Sequence, residues 1–128
     1  MSTDTSSASA FRFVAVTFDC ADPAELAGFY GELLELPVLF STDDFALIGR
    51  KDSPGLGFTC IADHRPPTWP DPAHGKQAHL ELGVDDLDLA EKRALALGAV
   101  RPDAQPDPDR WRVLVDPAGH PFCVTTLA

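Results

Sequence analysis

With 128 residues and a mass of 13.8 kDa, the chain has the size of one domain able to bury a real core. Apolar residues make up 45% and charged residues 23%, and 20 acids against 10 bases leave a formal net charge of −10. That charge argues against nucleic acid and anionic membrane surfaces as partners, because both need clustered Lys and Arg. No apolar run approaches the roughly 18 residues of a membrane helix.

Residues 1–10 (MSTDTSSASA) lack the basic start and apolar stretch of a secretory signal and read as a disordered tail. A single domain is expected over 11–128, with a first module at 11–63, a linker at 64–75 and a second module at 76–128. Arg12 to Cys20 is rich in β-branched and aromatic residues and predicts a strand. Asp22-Pro23-Ala24-Glu25 then has the spacing of a helix cap, and Leu26, Phe29, Tyr30, Leu33 and Leu34 trace one apolar helix face that Pro37 ends. Three short strands are expected at Val38–Phe40, Phe45–Arg50 and Leu56–Ala62. The segment DHRPPTWPDPAHG holds too many prolines for a regular element.

The order then repeats. Lys76 to Val84 alternates as a strand, with Ala78, Leu80, Leu82 and Val84 on one face and His79, Glu81 and Gly83 on the other. Asp85 or Asp86 caps a second helix (Leu87, Ala90, Ala94, Leu97), which Gly98 stops. A short strand near Ala99–Arg101, a Pro/Asp loop, and strands Arg110–Val115 and Pro121–Thr126 around an Asp116–Gly119 turn complete the chain. The two halves lie about 64 residues apart, and two such units would leave a shared concave face. Cys20, Cys60 and Cys123 are odd in number and widely spaced, which points to packing thiols and a reducing, cytoplasmic setting.

Four segments in order, DPAELAGFY, PPTWP, HLELGVDD and DPAGHPFC, resemble the vicinal oxygen chelate superfamily, most nearly its glyoxalase-like domain branch. The resemblance implies an α+β fold of two tandem βαβββ modules, a curved mixed sheet around a concave cavity with helices outside, and a homodimer. In the metalloenzymes of that superfamily four side chains, typically His or Gln, Glu, His and Glu, hold a divalent ion. Those positions fall here on Ala15, Thr59, His79 and Cys123, with Cys60 in place of Thr59 if the register slips by one residue. A methyl and a hydroxyl are poor company for an ion needing three or four donors, so no metal cofactor is expected.

His79 and Glu81, neighbours on one strand face, suit general acid–base work. Cys123 joins them if Phe122 and Val124 pack beneath the helices, as a packing thiol rather than a nucleophile. Phe13, Thr17 and Asp19 share the face of Ala15, and Trp69 in the linker is placed to meet a flat ligand or to pin the linker. Trp111 is expected in the core, His64 and His74 in solvent, and His120 at its turn. The expected function is metal-free binding of a small, partly aromatic or apolar molecule by Phe13, Ala15, Thr17, Thr59, Trp69, His79, Glu81 and Cys123. The alternatives are a lyase or isomerase using His79 and Glu81, a metalloenzyme with an atypical ligand set, or a purely structural role.

Overall fold

The computed structural model describes residues 12–126; the expected tail at 1–10 lies outside them. Strand β1 (Ala15–Cys20) leads into helix α1 (Pro23–Leu34), whose cap Asp22 accepts a hydrogen bond from the Glu25 N–H at 3.2 Å. This is the side-chain capping that the Asp-Pro signature implies. The helix stops before Pro37: Glu35 turns left-handed at φ 54°, and the Leu36 N–H closes on the Gly31 carbonyl at 3.0 Å. That C-terminal turn satisfies an orphan carbonyl without proline.

Strands β2 (Val38–Ser41), β3 (Phe45–Ile48) and β4 (Gly55–Cys60) complete a sheet in the order β1-β4-β3-β2, with β1 and β4 parallel. Ala46, Ile48, Leu56 and Phe58 face the buried side with Leu26, Ala27, Phe29 and Tyr30 of α1. The linker is not wholly irregular. A short 3₁₀ turn at Pro72–His74 is capped by Asp71, and Thr68 bridges to Gly75.

In the second module the expected strand at Lys76–Val84 shrinks to β5 (Glu81–Gly83). Its parallel partner β7 (Pro121–Thr125) begins with a proline, which has no N–H to extend the ladder toward residue 76. Helix α2 (Leu87–Ala96) is capped by Asp86, whose side chain takes the Leu89 N–H at 3.1 Å. Gly98, at φ 117°, closes it. Strand β6 (Trp111–Val115) pairs antiparallel with β7, giving the order β5-β7-β6. The strand expected at Ala99–Arg101 is reduced to one bridge between Val100 and Val115.

The two modules share one core. Phe122 of β7 meets Phe29 and Tyr30 of α1 edge-on at 5.9 and 6.0 Å, and Tyr30 stacks on Phe58 at 5.8 Å. Below these rings the Tyr30 hydroxyl donates to Asp116 Oδ2 at 2.6 Å, joining α1 to the turn before β7. No helix among the described residues is long and apolar enough to cross a membrane.

Candidate functional site

Sheet alternation divides the second module cleanly. Leu114, Phe122 and Val124 are buried in the shared core, so Glu81, Cys123 and Val113, which sit opposite one another on β5, β7 and β6, share the other face. His79 joins them from the residues just before β5 and is hydrogen-bonded through Nε2 to Glu81 Oε2. The His79, Glu81 and Cys123 ligating atoms lie within 4.8 Å of one another. His79 and Glu81 are open to solvent, with side chains 32% and 56% exposed, whereas Cys123 is buried. Burial, and secondarily the Glu81 charge, pushes the Cys123 thiol up to about 11. It is therefore a protonated packing thiol at neutral pH, not a nucleophile. Trp111 belongs to this face by alternation with Val113, rather than to the helix-covered core where the sequence suggested it. The pattern Trp-x-Val-x-Val fixed which residues travel together but not which side they face.

The first module offers a plainer surface. Ala15 and Thr17 alternate with Phe18, which packs on the core, and Thr17 lies opposite Gly57. A Cβ on Gly57 would stand 2.6 Å from Thr17 Oγ1 and 3.0 Å from the Phe45 ring, so the face is closed tightly over glycine there. Thr17 corresponds to Glu81 in the internal repeat, and their strand partners are Gly57 and Cys123. Gly57, not Thr59, thus occupies the place that matches Cys123. Thr59 lies two residues further along the same face, opposite Asp19. Cys60 points away, its thiol donating to the Ala21 carbonyl at 3.4 Å.

The remaining expected ligand-binding residues are dispersed. Phe13, 65% exposed, borders a hollow with Leu39 and Leu47; Thr17 and Asp19 line a cavity against the linker; Trp69 lies in a shallow hollow with Pro67 and Pro121. The structure brings together His79, Glu81 and Cys123 but does not gather all eight residues around them. It also assembles a group the sequence reading left in loops: His64, His74 and His120 line the same cavity as Thr17. No local signal could have shown this, since His120 Nε2 reaches the Asp19 carbonyl across 101 residues of chain.

A family model described as a glyoxalase-like domain matches residues 15–125. The chain belongs to the glyoxalase-like domain family. Solved structures of similar fold include a bleomycin-binding protein from Streptomyces verticillus complexed with copper(II)-bleomycin (16% identity, 94% of this chain and 100% of that one, TM-score 0.57). A trypanothione-dependent glyoxalase I from Leishmania major is 20% identical over 91% of this chain and 86% of its own, at TM-score 0.62. The fosfomycin resistance protein of Mesorhizobium loti is 13% identical over 91% and 92%, at TM-score 0.66. These place this glyoxalase-like protein within the vicinal oxygen chelate fold. No curated protein matches it in sequence.

A metal shared between the modules of a glyoxalase-like domain needs donors from both faces. Here the first face contributes the Ala15 methyl, Gly57, the Thr17 and Thr59 hydroxyls and a single carboxylate, Asp19, which does not join the donors converging on the other face; that set does not fit such an ion. Among the described residues, the second face brings an imidazole, a carboxylate and a thiol together.

Proposed function

We propose that this glyoxalase-like protein binds a small, partly aromatic or apolar molecule over the face of its second sheet, without a metal. The observation that supports this is the mismatch of the two faces: His79 and Glu81 stand open on one, while their counterparts Ala15 and Thr17 border Gly57 on the other. Trp111 adds apolar surface to the same face, and the His79–Glu81 pair would orient a polar end of the ligand. The bleomycin-binding relative, itself an organic-ligand binder, is in keeping with this reading.

The test is titration of chelator-treated protein with planar aromatic compounds, followed by thermal shift and calorimetry. Saturable binding is expected, stabilising by about 2.7 kcal/mol at a hundredfold excess over Kd. His79→Ala and Glu81→Gln should each weaken it roughly tenfold, about 1.4 kcal/mol, with little change in the unliganded Tm. A shift that requires added metal, or none with any such compound, contradicts the reading.

One observation favours a second reading, an enzyme with an atypical ligand set: the His79, Glu81 and Cys123 donors converge within 4.8 Å. An ion held there would polarise a substrate oxygen. Without it, Glu81 would hold one nitrogen of His79 while the other gives or takes a proton, the arrangement a lyase or isomerase needs.

We further propose that a second copy of the chain covers the apolar surface made by β2 together with Phe13 and Val14, which border one hollow with Leu39. Val38, Leu39 and Phe40 are all more than half exposed on an outermost strand, which is otherwise open to uncontrolled pairing. Sedimentation as a monomer at micromolar concentration would remove this proposal. The three free cysteines and the acidic composition support a cytoplasmic location without nucleic-acid or membrane partners.

A further inference from the structure

We propose that the cavity between β1 and the linker is a separate binding site for a small organic oxyanion, a carboxylate or phosphate ester with a compact apolar body. The cavity holds about 570 Å³, within the range of small-molecule sites. None of His79, Glu81 and Cys123 lines it.

Its charge runs against the rest of the molecule. The whole chain has 20 acids, 10 bases and 4 histidines. The cavity wall instead sets Arg65 and Lys76 against Asp19 and Asp63, an even balance, and adds three histidines, His64, His74 and His120. Every proton taken up by those rings makes the cavity cationic on an otherwise acidic protein.

Two of the rings are already oriented. His64 Nε2 lies 3.0 Å from the Ala118 carbonyl and His120 Nε2 lies 2.6 Å from the Asp19 carbonyl. A carbonyl only accepts, so each Nε2 carries hydrogen and each ring keeps Nδ1 for another partner. Among the described residues neither Nδ1 has one. The ring centroids are 5.6 Å apart, close enough for both to address one acidic head group. A backbone carbonyl behind an imidazole is also the arrangement that holds a ring steady for a ligand on its far nitrogen. An acidic ligand at a neutral Nδ1 must bring or recruit a proton, which then serves as the donor to its oxygen.

The apolar part of the ligand has its own wall. Phe18 packs beside His120 with centroids 5.4 Å apart, and Val16 and Ile61 border the same space. Size, a positive end and an apolar end together select a monocyclic or short-chain acid over a bare ion.

The experiment uses the full chain and isothermal titration with benzoate, phenyl phosphate, inorganic phosphate and, as an uncharged control, benzyl alcohol. Benzoate or phenyl phosphate should bind one per chain, and the tighter of the two identifies the head group. Inorganic phosphate should bind at least tenfold more weakly, and benzyl alcohol more weakly still. Binding should tighten several-fold from about pH 8 to about pH 6, with heats that depend on the buffer because protons are taken up. The double variant Arg65→Ala/Lys76→Ala should weaken it at least fivefold, and His64→Gln should reduce the pH dependence. His79→Ala should leave it unchanged, which separates this site from the one proposed on the second sheet. Absence of binding at about 10 mM, equal binding of benzyl alcohol, or an unaltered Kd in the double variant overturns the proposal.

Discussion

Replacing Asp116 with alanine is expected to destabilise the protein by about 4 kcal/mol and lower Tm by roughly 15 °C. Asp116 is only 4% exposed and accepts three hydrogen bonds. Oδ2 takes the Tyr30 hydroxyl at 2.6 Å, and Oδ1 takes the backbone N–H groups of Ala118 and His120, each at 2.9 Å. Truncation strands the buried Tyr30 hydroxyl and loosens the turn at once. Tyr30→Phe removes a single bond and should cost less, about 1–2 kcal/mol.

Burial first, and the nearby Asp116 charge second, push the Tyr30 hydroxyl far above its ordinary value of 10.0. The raised group favours the fold fully below about pH 10 and less as pH rises beyond it, because only the unfolded chain then ionises. Native stability should therefore fall above about pH 10, and the Tyr30→Phe variant should lose this component. Urea unfolding at neutral and alkaline pH measures both effects. A loss under 1 kcal/mol for Asp116→Ala would mean that the turn does not join the modules.

The second large effect belongs to Gly119→Ala, expected to destabilise by about 3 kcal/mol. Gly119 has φ 92°, a conformation that side chains rarely adopt, and an added Cβ would stand 2.3 Å from Pro66 Cβ. Relief requires the linker to move away from the turn. That motion also parts His64 from the Ala118 carbonyl. Gly75→Ala is the matched control: its nearest neighbour would be Pro72 O at 3.7 Å, ordinary contact. It should change stability by less than about 0.5 kcal/mol. Equal Tm values for the two variants would show that close linker packing carries no weight.

Both predictions meet at the Asp116–Gly119 turn, which the sequence revealed only as a turn. What was legible was local and repeated. Asp22 caps its helix as its spacing with Glu25 implied, and of the two candidates Asp85 and Asp86 it is Asp86 that caps the second. The apolar periodicity of Leu26, Phe29 and Tyr30 marked the buried side of α1. What was not legible depends on distant partners. The length of β5 is set by Pro121, some forty residues later, and the face of Trp111 by the register of β6 on β7. The counterpart of Cys123 could not be placed until Thr17 was seen opposite Gly57. From the sequence His64 reads as a solvated residue and His120 as part of its turn, because only the folded chain brings their rings to 5.6 Å.

We propose that the two modules share no metal centre and that ligand binding proceeds without one. Elemental analysis of protein purified without chelator tests it most directly. The expected content is below about 0.1 manganese, iron, cobalt, nickel or zinc ion per chain. A stoichiometric ion in the native protein that disappears in both His79→Ala and Cys123→Ser would contradict the account and establish the second sheet as a metal site.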